Sequence, residues 1–148
     1  MKIKLNIGRL WTVRFIIDYR NELRKSYNIM YNQTRETSKE ENVTEEFFVK
    51  VTRTLSDISQ NNLEKEQFLN LLRHMENVAK IHSGIIDVNI DSEKMMGKIL
   101  CICDGYYVVF KEKDLTRECF TYLAEYAESF FIIQEDGKIK IEASMSIW

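Results

Sequence analysis

The feature of this sequence that most constrains its fold is a pair of Asp-Gly steps in the C-terminal third, Asp104-Gly105 and Asp136-Gly137. Each step lies between two runs that are rich in β-branched, aromatic and other apolar residues. Asp and Gly tolerate the positive φ angles of a type I′ turn, so this dipeptide between two such runs favours a β-hairpin. We therefore predict two hairpins, whose strands are 98–103, 106–110, 130–134 and 138–147.

The two predicted hairpins differ in how their faces should be covered. In the first hairpin both faces are apolar, which favours interior strands that are covered on both sides, or covered on one side with a partner on the other. The last strand instead alternates between apolar and polar residues, so one of its faces should pack and the other should meet water. The apolar residues of the last strand are Ile139, Ile141, Ala143, Met145 and Ile147, and the polar ones are Lys138, Lys140, Glu142, Ser144 and Ser146.

Three segments show the apolar spacing of amphipathic helices. The first should span 44–59, the second should span about 63–82 with Gly84 at position C′ beyond its end, and the third should follow residue 114. Their expected N-caps are Thr44, Asn62 and Asp114. The residues expected to be buried are Phe47, Phe48, Val51, Leu55 and Ile58 in the first helix, Phe68, Leu71, Leu72, Met75, Val78 and Ala79 in the second, and Leu115, Cys119, Tyr122, Leu123, Tyr126, Ala127 and Phe130 across the third and just beyond it.

The N-terminal part of the chain leaves alternatives open. Residues 1–7 alternate in the manner of a half-buried strand. Over 9–31 apolar residues recur at helical spacing and favour a helix, although 11–17 is also β-branched and aromatic enough to form a strand that pairs with the first. Residues 32–43 contain one apolar residue in twelve and predict a polar, solvated loop that is free to move.

Together these elements predict a single α+β domain over residues 1–148. We expect a mixed or mainly antiparallel sheet of about five or six strands, including the two C-terminal hairpins, packed on one main face by about three or four helices. A short strand at 85–90 and a loop at 91–96 complete the sequence of elements. A chain of 148 residues is long enough to bury a substantial hydrophobic core.

Charge is distributed unevenly along the chain. Residues 1–35 hold eight basic and two acidic side chains, whereas the remaining residues hold 13 basic and 21 acidic ones. One interpretation is that the basic first part of the chain pairs internally with the acidic remainder. The other is a bipolar surface that attracts a charged partner over a distance.

Cys101, Cys103, Cys119 and His82 form the one set that could hold a metal ion. Two cysteines separated by one residue share a face of a strand, but structural zinc sites usually take cysteines two to four residues apart from turns. These cysteines lie in apolar runs, so we expect buried, reduced thiols, no metal and no cofactor. His82 should be a partly buried histidine at a helix end. Reduced thiols, together with the lack of a signal-peptide pattern or a long apolar run, favour a cytoplasmic protein with no membrane span.

The sequence contains no catalytic motif of the kinds that are built on phosphate-binding glycine loops, zinc-binding histidine pairs or a nucleophile elbow. We therefore expect a non-enzymatic, protein-binding module, such as a bacterial or phage-type immunity, antitoxin or anti-defence protein that inhibits a toxin or nuclease by covering its surface. Complementary charge gives such inhibitors fast association. The predicted contact patch for a basic partner is Glu118, Glu125, Glu128, Glu135 and Asp136.

Two other functions remain open at this stage. A substrate or small ligand could bind between the helices and the face that carries Cys101, Cys103 and Tyr106, with His82 or Tyr106 as the polar group. Alternatively, the basic N-terminal part, whose aromatic residues are interleaved with Lys and Arg, could contact the phosphates and bases of a nucleic acid. The same aromatic residues follow a buried helical period, which counts against this third function.

Overall fold

The computed structural model describes residues 12–20, 26–31, 34–38 and 43–147. Within these ranges the chain forms seven strands and four helices. The strands are β1 (Thr12–Asp18), β2 (Ser26–Tyr31), β3 (Thr34–Ser38), β4 (Ile85–Asp91), β5 (Met96–Asp104), β6 (Ser129–Glu135) and β7 (Lys138–Ser146). The helices are α1 (Val43–Ile58), α2 (Asn62–Ile81), α3 (Tyr107–Phe110) and α4 (Asp114–Tyr126).

The seven strands form one sheet in the order β3-β2-β1-β4-β5-β7-β6. Every pair of neighbours in this sheet is antiparallel. Helices α1 and α2 connect β3 to β4, and helices α3 and α4 connect β5 to β6. The prediction of an α+β fold with a mainly antiparallel sheet is therefore confirmed.

The helices pack on one face of the sheet. Helix α1 contacts β1 and β2, helix α2 contacts β4 and β5, and helix α4 packs against α2. Because side chains alternate along a strand, every second residue of β1, β4, β5 and β7 points into this core. The buried residues of these four strands, apart from Gly97, are Val13, Phe15, Ile17, Ile86, Val88, Ile90, Ile99, Cys101, Cys103, Ile139, Ile141, Ala143 and Met145.

The opposite side of the sheet, which we call the open face, carries exposed and half-buried residues on β1, β4, β5, β6 and β7. The last strand fits its predicted alternation, because Ile139 and Ile141 are buried whereas Lys138 is exposed and Lys140 is half-buried. The prediction that β5 is covered on both faces is less accurate, since its open-face residues Leu100 and Ile102 are only half-buried.

Helices α1 and α2 follow their predicted bounds and bury their predicted stripes in full. The caps differ from the prediction. Asn61, not Asn62, caps α2, because its side-chain oxygen accepts a hydrogen bond of 3.1 Å from the Glu64 N–H. Thr44 lies inside the first turn of α1, and its hydroxyl oxygen is 2.5 Å from the phenol oxygen of Tyr19.

Gly84 is required by close packing and not by its backbone conformation. The residue with the positive φ, 52°, is Ser83, which therefore occupies the C′ position. The Gly84 N–H donates a hydrogen bond of 2.7 Å to the Ala79 carbonyl oxygen, which places Gly84 at the C″ position of a Schellman motif. A Cβ at Gly84 would lie 2.5 Å from the carbonyl oxygen of Ile102 and 2.6 Å from the Cys103 sulfur. The chain can therefore pass from α2 into β4 directly against β5.

The predicted helix over 9–31 is wrong for the residues that the structure describes there, which form β1 and β2. Val13, Phe15 and Ile17 are buried, and the residues between them are exposed or half-buried. Strand alternation prevails because β-branched and aromatic side chains lose rotamer freedom in a helix and pack well on a pleated sheet. Strand β1 pairs with β2 and β4. The predicted strand at 2–7 lies outside the described residues.

The predicted polar loop over 32–43 is wrong for Thr34–Ser38, which form strand β3 at one edge of the sheet. An edge strand needs a neighbour on one side only and tolerates charged residues, so a polar segment can form one. Helix α1 begins at Val43, the last residue of the predicted loop. The remaining residues of that loop lie outside the described ranges.

The second predicted hairpin is confirmed and the first is wrong. Asp136 and Gly137 have φ angles of 51° and 72°, as a type I′ turn requires. Asp104, in contrast, is still part of β5, Gly105 has a φ of 134°, and the chain then enters helix α3. Because β5 already has β4 and β7 as neighbours, it offers no free edge to which residues 106–110 could bond.

Helix α4 buries a narrower stripe than predicted. Cys119 and Leu123 are buried as expected, together with Thr116. Leu115 and Tyr126 are each 40% exposed. The cause is that α4 packs mainly against α2 and not on the sheet, so a single line of its residues reaches the core.

Candidate partner-binding surface

A groove of about 500 Å³ lies on the surface between helices α2 and α4. One of the residues that line it, His74, belongs to α2, and the rest belong to α4. The lining residues of this α2–α4 groove are His74, Asp114, Arg117, Glu118, Thr121, Tyr122 and Glu125. Two residues of the predicted contact patch, Glu118 and Glu125, are therefore among them.

The helical repeat explains why these residues share one side of α4. Thr116, Cys119 and Leu123 face the core. Glu118 and Glu125 are separated by seven residues, or two turns, so they lie one above the other on the exposed side. The narrow buried stripe of α4 thus leaves a wide solvated side on which an acidic row can form.

The rings of His74 and Tyr122 in the α2–α4 groove are stacked, and the ring of Tyr126 is tilted against that of Tyr122. The ring centroids of His74 and Tyr122 are 4.2 Å apart with an interplanar angle of 27°, and those of Tyr122 and Tyr126 are 4.5 Å apart. Burial lowers the pKa of His74 below its usual range, and the charge of Glu118 opposes this change only in part. His74 is therefore mainly neutral at neutral pH and does not cancel the negative charge of the groove.

Arg117 is the basic residue of the groove, and its contacts hold it at the start of α4. Its guanidinium donates to the carbonyl oxygens of Lys111 and Glu112, each at 2.9 Å, and forms an ion pair with Asp114. In the part of the chain that the structure describes, no Lys or Arg lies within ion-pair distance of Glu118 or Glu125. These two carboxylates therefore give the groove its unbalanced negative charge.

A second depression of about 200 Å³ adjoins the groove, because Tyr122 lines both. Its other lining residues are Leu63, Glu66, Gln67, Asn70 and Tyr126. It adds a further carboxylate, from Glu66, and an exposed apolar side chain, from Leu63, to the same surface. Helices α2 and α4 thus present one strip that combines carboxylates with aromatic rings.

The other three residues of the predicted patch do not line the groove. Glu128 lies just beyond the end of α4, and its carboxylate accepts a hydrogen bond of 3.1 Å from the backbone N–H of Ser146. Glu135 lies at the end of β6, and its Oε1 atom is 3.8 Å from the Nζ atom of Lys140. Asp136 is part of the turn that follows β6. The structure therefore divides the predicted patch, with Glu118 and Glu125 in the groove and Glu135 and Asp136 at the hairpin turn.

Sequence reasoning missed two contributions to this surface. His74 lies off the apolar stripe of α2, a position that favours an exposed side chain, whereas it is half-buried and its ring stacks on that of Tyr122. No sequence pattern singles out Glu66. Its position on the polar side of α2 was readable, but the pairing of α2 with α4, which brings this side into the groove, depends on a contact between segments far apart in sequence.

The three cysteines are buried, and none is part of a disulfide. The sulfur atoms of Cys101 and Cys103 are 3.6 Å apart on the core face of β5. The neighbouring Cys103 thiol and burial raise the pKa of Cys101, and burial raises the pKa of Cys119 to about 12. Cys101 and Cys119 are therefore poor nucleophiles near neutral pH. Among the described residues, no group of three or more His, Cys, Asp or Glu could hold a metal ion.

Tyr106 does not lie on the predicted wall of the alternative ligand pocket, and the ring of His82 contacts residues of α3 and α4. The His82 ring stacks on Phe110 with centroids 4.1 Å apart, and its Nε2 atom is 2.9 Å from the Thr116 hydroxyl oxygen. Burial, with a smaller effect from the charge of Lys113, lowers the pKa of His82. Tyr106 lies between β5 and α3 and is 66% exposed. It therefore does not share a face of β5 with Cys101 and Cys103, as the predicted pocket wall requires.

A buried polar contact joins α2 to β1 and α1 away from the groove. The carboxylate of Glu76, which is 4% exposed, accepts a hydrogen bond from the Tyr19 hydroxyl, and that hydroxyl also lies 2.5 Å from the Thr44 hydroxyl oxygen. Burial, aided by the Glu76 carboxylate, raises the pKa of Tyr19 well above its usual range. This contact has a structural role, since its groups are removed from solvent.

Comparison with known proteins adds no assignment: no protein-family model matches the chain, and no curated protein matches it either. Within the described ranges, none of the helices combines the length and the apolar character needed to cross a membrane.

Proposed function

We propose that this chain is a small cytoplasmic binding module that inhibits a basic protein partner by covering part of its surface, as immunity, antitoxin and anti-defence proteins do. The observation that carries the proposal is the strip along α2 and α4, where the carboxylates of Glu118 and Glu125 have no basic neighbour within ion-pair distance among the described residues. Lys and Arg side chains of a partner would supply the missing charge.

The stacked rings favour the same kind of partner. A guanidinium or ammonium group can lie over the face of a tyrosine while it pairs with a nearby carboxylate. The rings of His74 and Tyr126 lie 4.2 and 4.5 Å from that of Tyr122, so the ring that a cation can reach is that of Tyr126, which is 40% exposed. Tyr and Arg are also among the residues that contribute most to binding at protein interfaces.

The basic residues that the structure describes in the N-terminal part support a protein partner over a nucleic acid. Arg14 makes a two-pronged ion pair with Asp87, with a shortest distance of 2.6 Å. Arg20 pairs with Asp18 at 2.8 Å. These two guanidinium groups are already occupied by carboxylates and are less available for phosphates.

The experiment uses the product of the gene adjacent to this one in its native genome as the partner. If that product is toxic when expressed alone, co-expression of this chain should restore growth and the two proteins should co-purify. The Glu118→Lys/Glu125→Lys double variant should lose both properties.

The matched control is the Glu45→Lys/Asp57→Lys double variant, which makes the same change of charge at exposed positions of α1. It should protect as well as the unmodified chain. Equal protection by the groove variant and the control, or an adjacent product that neither harms the cell nor binds, would contradict the proposal.

A further inference from the structure

The two edges of the sheet have opposite chemical character. Strand β3 has the sequence Thr-Arg-Glu-Thr-Ser, which includes two charged residues. Strand β6 has the sequence Ser-Phe-Phe-Ile-Ile-Gln-Glu, with four consecutive apolar residues and no Lys, Pro or Gly. Natural proteins protect exposed edges with charged residues, especially Lys, or with Pro and bulges, because an unprotected edge can pair with another chain. By this criterion β3 is protected and β6 is not.

Strand β6 has one strand neighbour, β7, among the residues that the structure describes. No described strand bonds to the backbone N–H and C=O groups along its other side, which are the groups that a further strand would pair with. On the open face Phe131 is 47% exposed and Ile133 is 41% exposed, and on the helix face Phe130 and Ile132 are only partly buried. A strand added at this edge would cover apolar surface on both faces at once.

We infer that β6 pairs antiparallel with β6 of a second copy of this chain, about a two-fold axis centred on Phe131. Residues directly opposite each other in an antiparallel pair lie on the same face of the sheet. This register places Phe131 opposite its own equivalent and Phe130 opposite Ile132 of the second copy, while Ser129 is opposite Ile133. The pairing joins the two sheets into one continuous sheet.

Charge distinguishes this register from its nearest alternative. A two-fold axis at Ile132 would place Glu128 opposite Asp136 of the second copy, and like charges directly opposite each other are destabilising. It would also place Phe130 opposite Gln134, a polar side chain that already bonds to Gly105 and Lys138. The axis at Phe131 avoids both arrangements and leaves Glu135 beyond the paired residues.

Helix α3 extends the interface beyond the strand. The Gln134 side chain accepts a hydrogen bond of 2.6 Å from the Tyr107 N–H, and its amide donates to the Gly105 carbonyl at 3.0 Å, so α3 is held at the C-terminal end of β6. Val108 and Val109 are 67% and 61% exposed there. Stable interfaces bury roughly 800 Å² per partner, more than a short strand pair supplies alone. In the antiparallel arrangement this apolar end lies next to the start of β6 in the second copy.

The test of the edge is the mass of the protein in solution, measured by sedimentation equilibrium over a range of concentrations. The unmodified chain should have twice its single-chain mass of 17.6 kDa. The Ile133→Lys variant should raise the dimer dissociation constant by at least about tenfold, because it adds a charge that pairing would bury at the edge. The Val49→Lys variant, which changes an equally exposed residue of α1, should remain dimeric.

Circular dichroism and thermal unfolding show that each variant is folded before its mass is compared. A single-chain mass for the unmodified protein throughout the range would overturn the inference. So would an Ile133→Lys variant that dimerises as well as the Val49→Lys variant does.

Mild oxidation tests the position of the axis. The Phe131→Cys variant should form a disulfide between copies, since opposite residues of an antiparallel pair have Cα atoms about 4.5–5.5 Å apart, within the range for a disulfide. The unmodified chain is the control, because its three cysteines are buried. An Ile132→Cys variant is tested beside it. Pairing centred on Phe131 would be overturned if Phe131→Cys fails to cross-link, whether or not Ile132→Cys does.

Discussion

The two sides of helix α2 differ in how closely they are packed. On the side that faces the sheet and α1, Phe68, Leu72 and Met75 are fully buried, and the buried carboxylate of Glu76 is bonded. On the side that faces α4, His74 lines an open groove, and the partner helix contributes carboxylates. The first side tolerates little change in shape, whereas the second can change in charge with little effect on the fold. A surface of this kind can adapt to a partner while the core keeps its structure.

The largest expected effect is on the packed side, at Gly97 of β5. A Cβ at this position would lie 2.3 Å from the Cε1 atom of Phe68. We expect Gly97→Val to lower the free energy of unfolding by about 3 kcal/mol, as overpacking of a core does. Urea unfolding measures the change.

The neighbouring residue supplies the control for that measurement. Lys98→Val changes an exposed residue on the open face of the same strand and should alter the free energy of unfolding by less than about 0.5 kcal/mol. Replacing Phe68 by Leu in the Gly97→Val chain should recover part of the loss, since the two residues are in contact. Equal effects of the Gly97 and Lys98 substitutions would show that the two faces of β5 are not packed differently.

A smaller loss is expected at the buried polar contact. Tyr19→Phe removes the hydroxyl that donates to Glu76 and leaves a buried carboxylate with one hydrogen bond fewer. Loss of a partner from a buried polar group costs about 1–3 kcal/mol. The same urea titration should show this loss, and Tyr126→Phe, at an exposed residue of the depression next to the groove, should show almost none.

The Tyr19 contact also predicts a dependence on alkaline pH. The pKa of Tyr19 is raised in the folded protein, so above the unfolded value of about 10 the unfolded chain loses this proton first. Stability from this group is therefore complete below pH of about 10 and declines as the pH rises further. The decline between about pH 9 and 11 should be smaller in Tyr19→Phe, and an identical decline in both chains would rule out this assignment.

The fold was predictable where a local pattern and its tertiary surroundings agree. Asp136-Gly137 forms the predicted turn because β6 and β7 both have room to pair. Asp104-Gly105 has the same chemistry, but β5 is already bonded on both sides, and this depends on strands distant in sequence. The buried stripe of α2 was readable because its helical spacing conflicts with no other pattern.

The candidate surface was predictable only in part, for a related reason. Glu118 and Glu125 were identifiable because their spacing on one helix places them on one side of it. The contribution of His74 depends on the packing of α4 against α2, which no local pattern encodes. The segment of β1 shows the same limitation, since its apolar residues fit both a helical and an alternating pattern and its two strand neighbours determine the outcome.

The smallest expected effect on stability comes from the groove. The Glu118→Lys/Glu125→Lys double variant should change the free energy of unfolding by less than about 0.5 kcal/mol per site, since both residues are exposed. It should nevertheless lower the pKa of His74 further, because the charge of Glu118 raises that pKa in the unmodified chain. NMR titration of the two histidines measures this change. The pKa of His82, which is affected by Lys113 and not by Glu118, should stay constant and serves as the internal reference.

The most direct test of the proposed function is the association rate constant between this chain and the adjacent gene's product, measured at several salt concentrations. The unmodified chain should associate fast at low salt and more slowly as salt screens the charges. The Glu118→Lys/Glu125→Lys variant should associate at least about tenfold more slowly at low salt and lose most of the salt dependence. The Glu45→Lys/Asp57→Lys control should behave as the unmodified chain does. Equal rates and equal salt dependence for all three proteins would contradict a partner that binds at the α2–α4 groove.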